Sequence, residues 1–154
     1  MAKLSIGDPA PDFSLDGTDG AFTLSEHRGE RVVLLFYPGD DTSVCTKQMC
    51  SYRDRGDDVA RLPATLVGIS TKDAESKEAF KAKHGLTVPL LADEDGSVAE
   101  AYGLMAKRLK MVKRAVVIVD ERGRIAHQHN NLLSLSFDSV DDIVAALEKL
   151  PAAA

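Results

Sequence analysis

The two cysteines of this chain, Cys45 and Cys50, are the residues whose type and spacing most suggest chemistry. Two cysteines cannot form the disulfide framework of a secreted mini-protein, and in a reducing compartment a close pair is more often redox-active or metal-binding. Free cysteine is also among the most buried residue types. Composition alone therefore leaves chemistry and plain core packing equally open.

The sequence around Cys45 predicts a strand, a short loop and a helix. Residues 31–37 are a continuous β-branched and aromatic run, which is typical of a strand buried on both faces. The turn residues 38–41 end this strand, and a helix with its N-cap at 41–43 follows. Cys45 then lies in the first helical turn, where free backbone N–H groups and the helix dipole favour an anion. Because the nucleophilic form of cysteine is the thiolate anion, this position predicts a reactive cysteine.

Two residues of the loop could shape a pocket around the sulfur. Thr42 stands almost one turn before Cys45, so its hydroxyl could point at the sulfur or at a bound oxygen atom. Pro38 has no N–H group to donate and could shield the pocket from water.

The motif Pro38-x-x-x-Thr42-x-x-Cys45 resembles the active-site motif of the peroxiredoxins. The second cysteine five residues later, followed by Tyr52-Arg53-Asp54, resembles the bacterioferritin-comigratory, or Q-type, branch of that family. The resemblance covers nearly the whole chain. It includes Gly7-Asp8-x-Ala10-Pro11-Asp12-Phe13, Gly68-Ile69-Ser70, Leu90-Leu91-Ala92-Asp93, Ala99-x-Ala101-Tyr102-Gly103 and Lys113-Arg114-Ala115-Val116.

This resemblance implies a thiol peroxidase in which Cys45 is the peroxidatic cysteine. Its thiolate would attack a hydroperoxide, release water or an alcohol, and become a sulfenic acid. Thr42 and Pro38 would form the peroxide pocket, and Thr42 would orient the substrate. Arg114 matches the active-site arginine, which stabilises the thiolate and the charge on the departing oxygen. From the residues alone, Arg114 could equally be a solvated charge beside Lys113.

Cys50 matches the resolving cysteine of this branch, which would form a disulfide with Cys45. Five residues of α-helix rise about 7.5 Å and leave the two side chains about 140° apart. A disulfide needs Cα atoms roughly 4.4–6.8 Å apart, so an intact helix cannot hold this one. We therefore expect residues 40–53 to have low local stability and to unwind on oxidation. In the alternative, Cys50 packs in the core and an external thiol resolves the sulfenic acid.

The sequence departs from the family pattern at two places. Ser43-Val44 stands after Thr42 in place of the common proline-glycine. Gln48 stands where many relatives have a glutamate that helps to hold the active-site arginine. Gln48 can still accept a hydrogen bond from Arg114, but without charge assistance.

Other functions remain as alternatives. A thioredoxin-type disulfide reductase would need Cys-x-x-Cys, whereas the spacing here is Cys-x-x-x-x-Cys. A zinc site could combine the two cysteines with His127 and His129, which share one face of a predicted strand, but no known structural zinc spacing matches. A redox sensor or chaperone-like binding module could use the same fold without turnover.

The bulk composition favours a cytoplasmic protein with one domain over residues 1–154. The chain has 154 residues, 44% of them hydrophobic, which suits a single core. Its net charge of −5 gives no reason to expect nucleic acid or an anionic membrane as a partner. No apolar run approaches the roughly 20 residues of a membrane span, and the N-terminus lacks the apolar core of a signal peptide.

Further periodic segments complete an α/β arrangement around the cysteines. The predicted strands cover residues 64–69, 88–92, 115–120 and 125–130, and the predicted helices cover 44–62, 73–84, 97–102 and 139–150. We expect Gly56 to bend or break the first of these helices, because glycine costs about 1 kcal/mol inside a helix. Turn residues at 7–12 and 17–20 alternate with short extended segments around 13–15 and 21–24, which suggests an N-terminal β-hairpin. We predict a thioredoxin-like α/β fold with a mixed central β-sheet flanked by helices. We expect no metal or organic cofactor, and a monomer or weak dimer because the sequence shows no surplus apolar face. The resemblance implies thioredoxin or another dithiol protein as the reductant.

Overall fold

The chain folds into both strands and helices in this computed structural model, which describes residues 4–40, 43–106, 111–130 and 137–150. The elements are β1 (Ser14–Leu15), β2 (Phe22–Thr23), a 3₁₀ turn (Leu24–His27), β3 (Val32–Phe36), α1 (Ser43–Asp54), α2 (Gly56–Ala60), β4 (Thr65–Ser70), α3 (Ala74–His84), β5 (Leu90–Ala92), α4 (Ser97–Ala101), β6 (Met105–Ala106), β7 (Met111–Val112), β8 (Ala115–Val119), β9 (Ile125–Asn130) and α5 (Val140–Glu148).

A mixed five-stranded sheet lies at the centre, in the order β5-β4-β3-β8-β9. β3 pairs parallel with β4 and antiparallel with β8. β4 continues parallel to β5, and β8 continues antiparallel to β9. β1 and β2 form a separate antiparallel pair near the N-terminus. The predicted α/β fold, with its mixed sheet and N-terminal hairpin, is therefore confirmed.

The two faces of β3 belong to two different hydrophobic clusters. Val32, Leu34 and Phe36 pack on the face that also carries residues of the hairpin and of α4. Val33 and Leu35 pack on the face covered by α1, α3 and α5, which is the face that contains the cysteines. Because every residue of β3 is buried, the strand has the continuous apolar sequence expected of a strand covered on both sides.

The helix that was predicted over residues 44–62 consists of two helices. α1 ends at Asp54, and α2 begins at Gly56. Arg55 between them has φ −106° and ψ 36°, which lies outside the helical region. The break predicted near Gly56 is confirmed. Glycine weakens a helix interior, so the helix ends readily at this residue.

Local sequence signals define the ends of α3 and α5. Asp73 caps α3 by accepting a 2.8 Å hydrogen bond from the backbone N–H of Ser76. Gly85, with φ 61°, ends the same helix in the left-handed conformation that glycine adopts without strain. Ser139 and Asp142 form a capping box at the start of α5. These caps fix where α3 and α5 lie against the face of the sheet that contains Cys45.

Candidate active site

Cys45 lies at the point where the central strand passes into α1. β3 ends at Phe36, the loop continues through Pro38, and α1 begins at Ser43. Cys45 is the third residue of α1, so its position in the first helical turn agrees with the prediction from sequence. Its side chain is a free thiol with 0% exposure. The sulfur is therefore buried beside the positive end of a helix dipole.

Arg114 contacts this sulfur directly. Its Nη2 donates a hydrogen bond to Cys45 Sγ at 2.9 Å. The sheet register explains the meeting, because Ala115 pairs with Phe36 at the end of β3 and Arg114 immediately precedes it. Arg114 is only 2% exposed, so this guanidinium is desolvated, and the hydrogen bond that it donates to the sulfur is charge-assisted.

Gln48 and Tyr52 fix the orientation of that arginine. Arg114 Nη1 donates to Gln48 Oε1 at 2.5 Å, and Gln48 Nε2 donates to the Tyr52 hydroxyl at 3.0 Å. Both residues lie on the same face of α1 as Cys45, three and seven positions further along. The acceptor role expected of Gln48 is therefore present in the structure. Sequence reasoning gave Tyr52 no place in the site, although its spacing of seven from Cys45 was an available signal.

Pro38, Thr42 and Cys50 are the other residues that the sequence predicted for the site. Pro38 is half-buried in the loop after β3. Thr42, which was predicted to orient a substrate, lies outside the described residues. Cys50 is a partly buried free thiol that packs against the same hydrophobic cluster as Cys45. Both cysteines lie within the unbroken helix α1, so the described conformation is that of the dithiol form.

The zinc alternative conflicts with the surroundings of Cys45. A guanidinium 2.9 Å from the sulfur would repel a metal cation at that atom. His129 is occupied differently, with its Nδ1 2.7 Å from Asp138 Oδ1. Within the described ranges, no three histidine, cysteine or carboxylate side chains gather as a metal-binding group.

In the same part of the chain, no helix is both long enough and apolar enough to cross a bilayer.

Comparison with known proteins gives consistent matches. The model of the AhpC/TSA family matches residues 6–128. Peroxiredoxin Q of Oryza sativa subsp. japonica, a chloroplastic protein, is 38% identical over 131 residues, which are 84% of this chain and 60% of that protein. Peroxiredoxin Bcp of Bacillus subtilis is 35% identical over 129 residues, which are 79% of this chain and 82% of that protein. The crystal structure of peroxidoxin BcpB from Mycobacterium tuberculosis superposes with a TM-score of 0.83 at 31% identity, covering 97% of this chain and 99% of that one.

Proposed function

Because this chain belongs to the AhpC/TSA family, whose peroxiredoxin members are thiol peroxidases, we propose that Cys45 is its peroxidatic cysteine. The thiolate attacks the terminal oxygen of a hydroperoxide, and the O–O bond breaks. The other oxygen takes up a proton and leaves as water or an alcohol. The sulfur loses two electrons and becomes a sulfenic acid.

The observation that carries this proposal is the hydrogen bond from Arg114 Nη2 to Cys45 Sγ. A buried guanidinium held by Gln48 is a fixed positive charge, so it stabilises a thiolate without reorganising during the reaction. The same guanidinium can also bind the departing oxygen, where negative charge develops as the O–O bond breaks. A cysteine that only packed in the core would not need a desolvated cation beside it.

Two residues of the loop complete the proposed substrate pocket. Thr42 donates or accepts a hydrogen bond with the peroxide and orients it for attack. Pro38 closes the pocket on one side, and because it lacks an N–H group it does not compete for the substrate oxygens. These two roles are carried over from the family motif to the matching positions of this chain.

We propose that Cys50 resolves the sulfenic acid. Its thiol sulfur attacks the Cys45 sulfur, a disulfide forms, and the sulfenic oxygen leaves as water. Since both cysteines lie in one helix, the first turns of α1 must unwind for the two sulfur atoms to meet. A dithiol protein such as thioredoxin then supplies two electrons and restores both thiols. The enzyme is thus an atypical 2-Cys peroxiredoxin, in which a single domain of residues 1–154 acts as a monomer or weak dimer without a metal or organic cofactor.

Mass spectrometry after one equivalent of hydrogen peroxide tests both cysteine roles. The wild-type protein is expected to lose both thiols and about two hydrogens of mass. Cys50→Ser is expected to gain one oxygen at Cys45, and Cys45→Ser, its matched control, to remain unmodified. A wild-type protein that keeps its thiols would contradict the peroxidase role of Cys45. A wild-type protein that gains oxygen and forms no disulfide would contradict only the role of Cys50.

A further inference from the structure

A buried lysine lies close to the proposed site and has no part in the mechanism above. Lys77 is in the first turn of α3, and its side chain is only 1% exposed. Lysine is almost never fully buried unless it is paired, because desolvation of the ammonium group is costly. A lysine at such a position therefore needs partners that offset the cost of its burial.

All three N–H groups of the Lys77 ammonium have partners. Nζ lies 3.1 Å from the Tyr37 hydroxyl and 3.2 Å from Asp40 Oδ1, and it also donates to Ser70 Oγ. Nζ also lies 5.0 Å from the centre of the Tyr37 ring. An ammonium group has three donors, so its capacity is filled.

Asp40 is satisfied in the same way. Its Oδ1 accepts a 2.6 Å hydrogen bond from the Tyr37 hydroxyl, and its Oδ2 accepts a 2.8 Å hydrogen bond from Ser76 Oγ. The carboxylate is 2% exposed, so the ion pair with Lys77 is desolvated on both sides. Burial lowers the pKa of Lys77, and the charge of Asp40 opposes that change. Burial also raises the pKa of Tyr37, so its hydroxyl keeps the proton that it donates.

We call these five residues the Lys77 cluster: Tyr37, Asp40, Ser70, Ser76 and Lys77. They come from the end of β3, the loop that follows it, the end of β4 and the first turn of α3. No member of the cluster belongs to α1, so α1 can unwind while these contacts persist. The loop held by the cluster is the one that carries Pro38 and leads into α1.

We propose that Lys77 is a positioning residue for the peroxide site, because through Asp40 and Tyr37 it fixes the loop that contacts the substrate. The proposal rests on the proposed peroxidase role of Cys45. An apolar residue of similar size would provide packing with less desolvation, whereas a closed ion pair also fixes one geometry of the loop. The loop then stays in place through each cycle of unwinding, and the substrate pocket re-forms around the reduced sulfur.

Two reactions of Cys45 separate positioning from other effects of Lys77. Oxidation by hydrogen peroxide depends on how the loop orients the substrate, whereas alkylation by iodoacetamide depends only on access to a nucleophilic sulfur. Both rates are measured in a Cys50→Ser parent, where Cys45 is the only thiol. Lys77→Met is expected to lower the peroxide rate by about 10- to 100-fold while the alkylation rate stays within about threefold.

Matched variants complete the experiment. Lys81→Met is the control, since Lys81 lies one turn further along α3 and pairs with Asp19 at 2.5 Å outside the cluster; both rates should be retained. Because Lys77→Met leaves Asp40 buried without its counter-ion, the Asp40→Asn/Lys77→Met protein is measured beside it. The two substitutions together remove both charges, and the amide oxygen at position 40 can still accept the hydrogen bond from the Tyr37 hydroxyl. If Lys77→Met does not fold, the double variant is expected to show the same selective loss of the peroxide rate.

Two outcomes would overturn the proposal. If the peroxide rate of the folded variants equals that of the parent, Lys77 serves stability alone. If both rates fall by the same factor, Lys77 acts on the sulfur or on the whole fold and not on substrate orientation. Failure of the proposed function is a separate result, because it would appear as a Cys50→Ser parent with Lys77 intact that takes up no oxygen.

Discussion

The hydroxyl of Tyr52 donates a 2.6 Å hydrogen bond to the backbone carbonyl of Asp138, which joins the last turn of α1 to the residue before the cap of α5. The same hydroxyl accepts the hydrogen bond from Gln48. Burial raises the pKa of Tyr52, so the hydroxyl keeps its proton and remains a donor. A continuous chain of hydrogen bonds therefore runs from the sulfur of Cys45 through Arg114 to the start of α5.

Replacing Tyr52 with phenylalanine should weaken both the fold and the site. Tyr52→Phe removes the donor to the Asp138 carbonyl and the acceptor of the Gln48 amide, and a buried group left without its partner costs about 1–3 kcal/mol. Gln48 also loses the contact that fixes its orientation toward Arg114. We expect a lower free energy of unfolding in urea and a slower reaction of Cys45 with hydrogen peroxide.

Tyr102→Phe is the matched control for this change. Tyr102 is also buried, and its hydroxyl donates a 2.7 Å hydrogen bond to the carbonyl of Pro11 on the other face of the sheet. It should lose a similar amount of stability and keep the peroxide rate. Equal peroxide rates for the Tyr52 and Tyr102 variants would contradict the role given to the Tyr52–Gln48 contact.

The proposed role of Arg114 depends on its two-pronged shape as well as on its charge. Arg114→Lys keeps a cation but cannot contact Cys45 and Gln48 simultaneously in the same geometry. We expect the peroxide rate to fall by on the order of 100-fold, as when one transition-state donor is removed. Stopped-flow measurement against Arg31→Lys, a half-buried arginine paired with Glu121, provides the comparison. An Arg114→Lys protein as fast as wild type would show that charge alone suffices.

The position of Cys45 could be predicted from sequence because its signals are local. A run of apolar residues, a turn and an N-cap lie within fifteen positions of one another, and each is read directly from residue type. Arg114 stands 69 positions further along, and only the family resemblance pointed to it. Strand pairing brings it to the site, and no local pattern at residue 114 encodes that pairing.

The Lys77 cluster was not predicted, although one signal was present. Lys77 lies three positions before Phe80, the buried aromatic residue of α3, and so it shares the helix face that meets the sheet. A charged side chain on an apolar helix face either reaches solvent or pairs with a buried partner. The partner of Lys77 is Asp40, which lies 37 positions away in the sequence. The tertiary contact that decides between the two is absent from any local window.

Gly68 in β4 leaves the space in which Tyr37 and Met49 pack. A Cβ at this position would lie 3.0 Å from Leu90 Cδ2, 3.2 Å from Tyr37 Cε1 and 3.3 Å from Met49 Cε. Gly68→Ala should therefore destabilise the protein by about 1–3 kcal/mol through overpacking. Urea denaturation of the reduced protein measures this difference.

Gly56→Ala is the opposite case and serves as the control. A Cβ on Gly56, the first residue of α2, would meet no atom within 4 Å. Alanine also restricts the unfolded chain, so this variant should be more stable by about 0.4–1 kcal/mol. A shift of the same sign for both glycines would contradict the packing argument at Gly68.

The free energy of unfolding depends on pH through His127. Burial lowers its pKa, the charge of Asp138 opposes this change, and His129 and Lys149 add to it. The unfolded chain therefore takes up a proton at His127 more readily than the folded protein, and stability falls as the pH drops below about 6.5. We expect the free energy of unfolding of His127→Gln to decline less than that of wild type between about pH 7 and pH 5. Parallel pH curves for the two proteins would contradict this prediction.

Unwinding of α1 can be followed by hydrogen exchange. The last turn of α1 is fastened to the end of α3, because Arg53 Nη1 donates a 2.5 Å hydrogen bond to the carbonyl of His84. If Cys45 and Cys50 form a disulfide, the residues between them must leave helical geometry while this contact holds the end of the helix. We predict that oxidation by peroxide speeds amide exchange at residues 46–50 by at least about tenfold and leaves α3 protected. The peroxide-treated Cys50→Ser protein cannot form this disulfide, so its amides at 46–50 should stay protected from exchange. A disulfide-bonded wild-type protein with unchanged exchange at 46–50 would contradict the unwinding step.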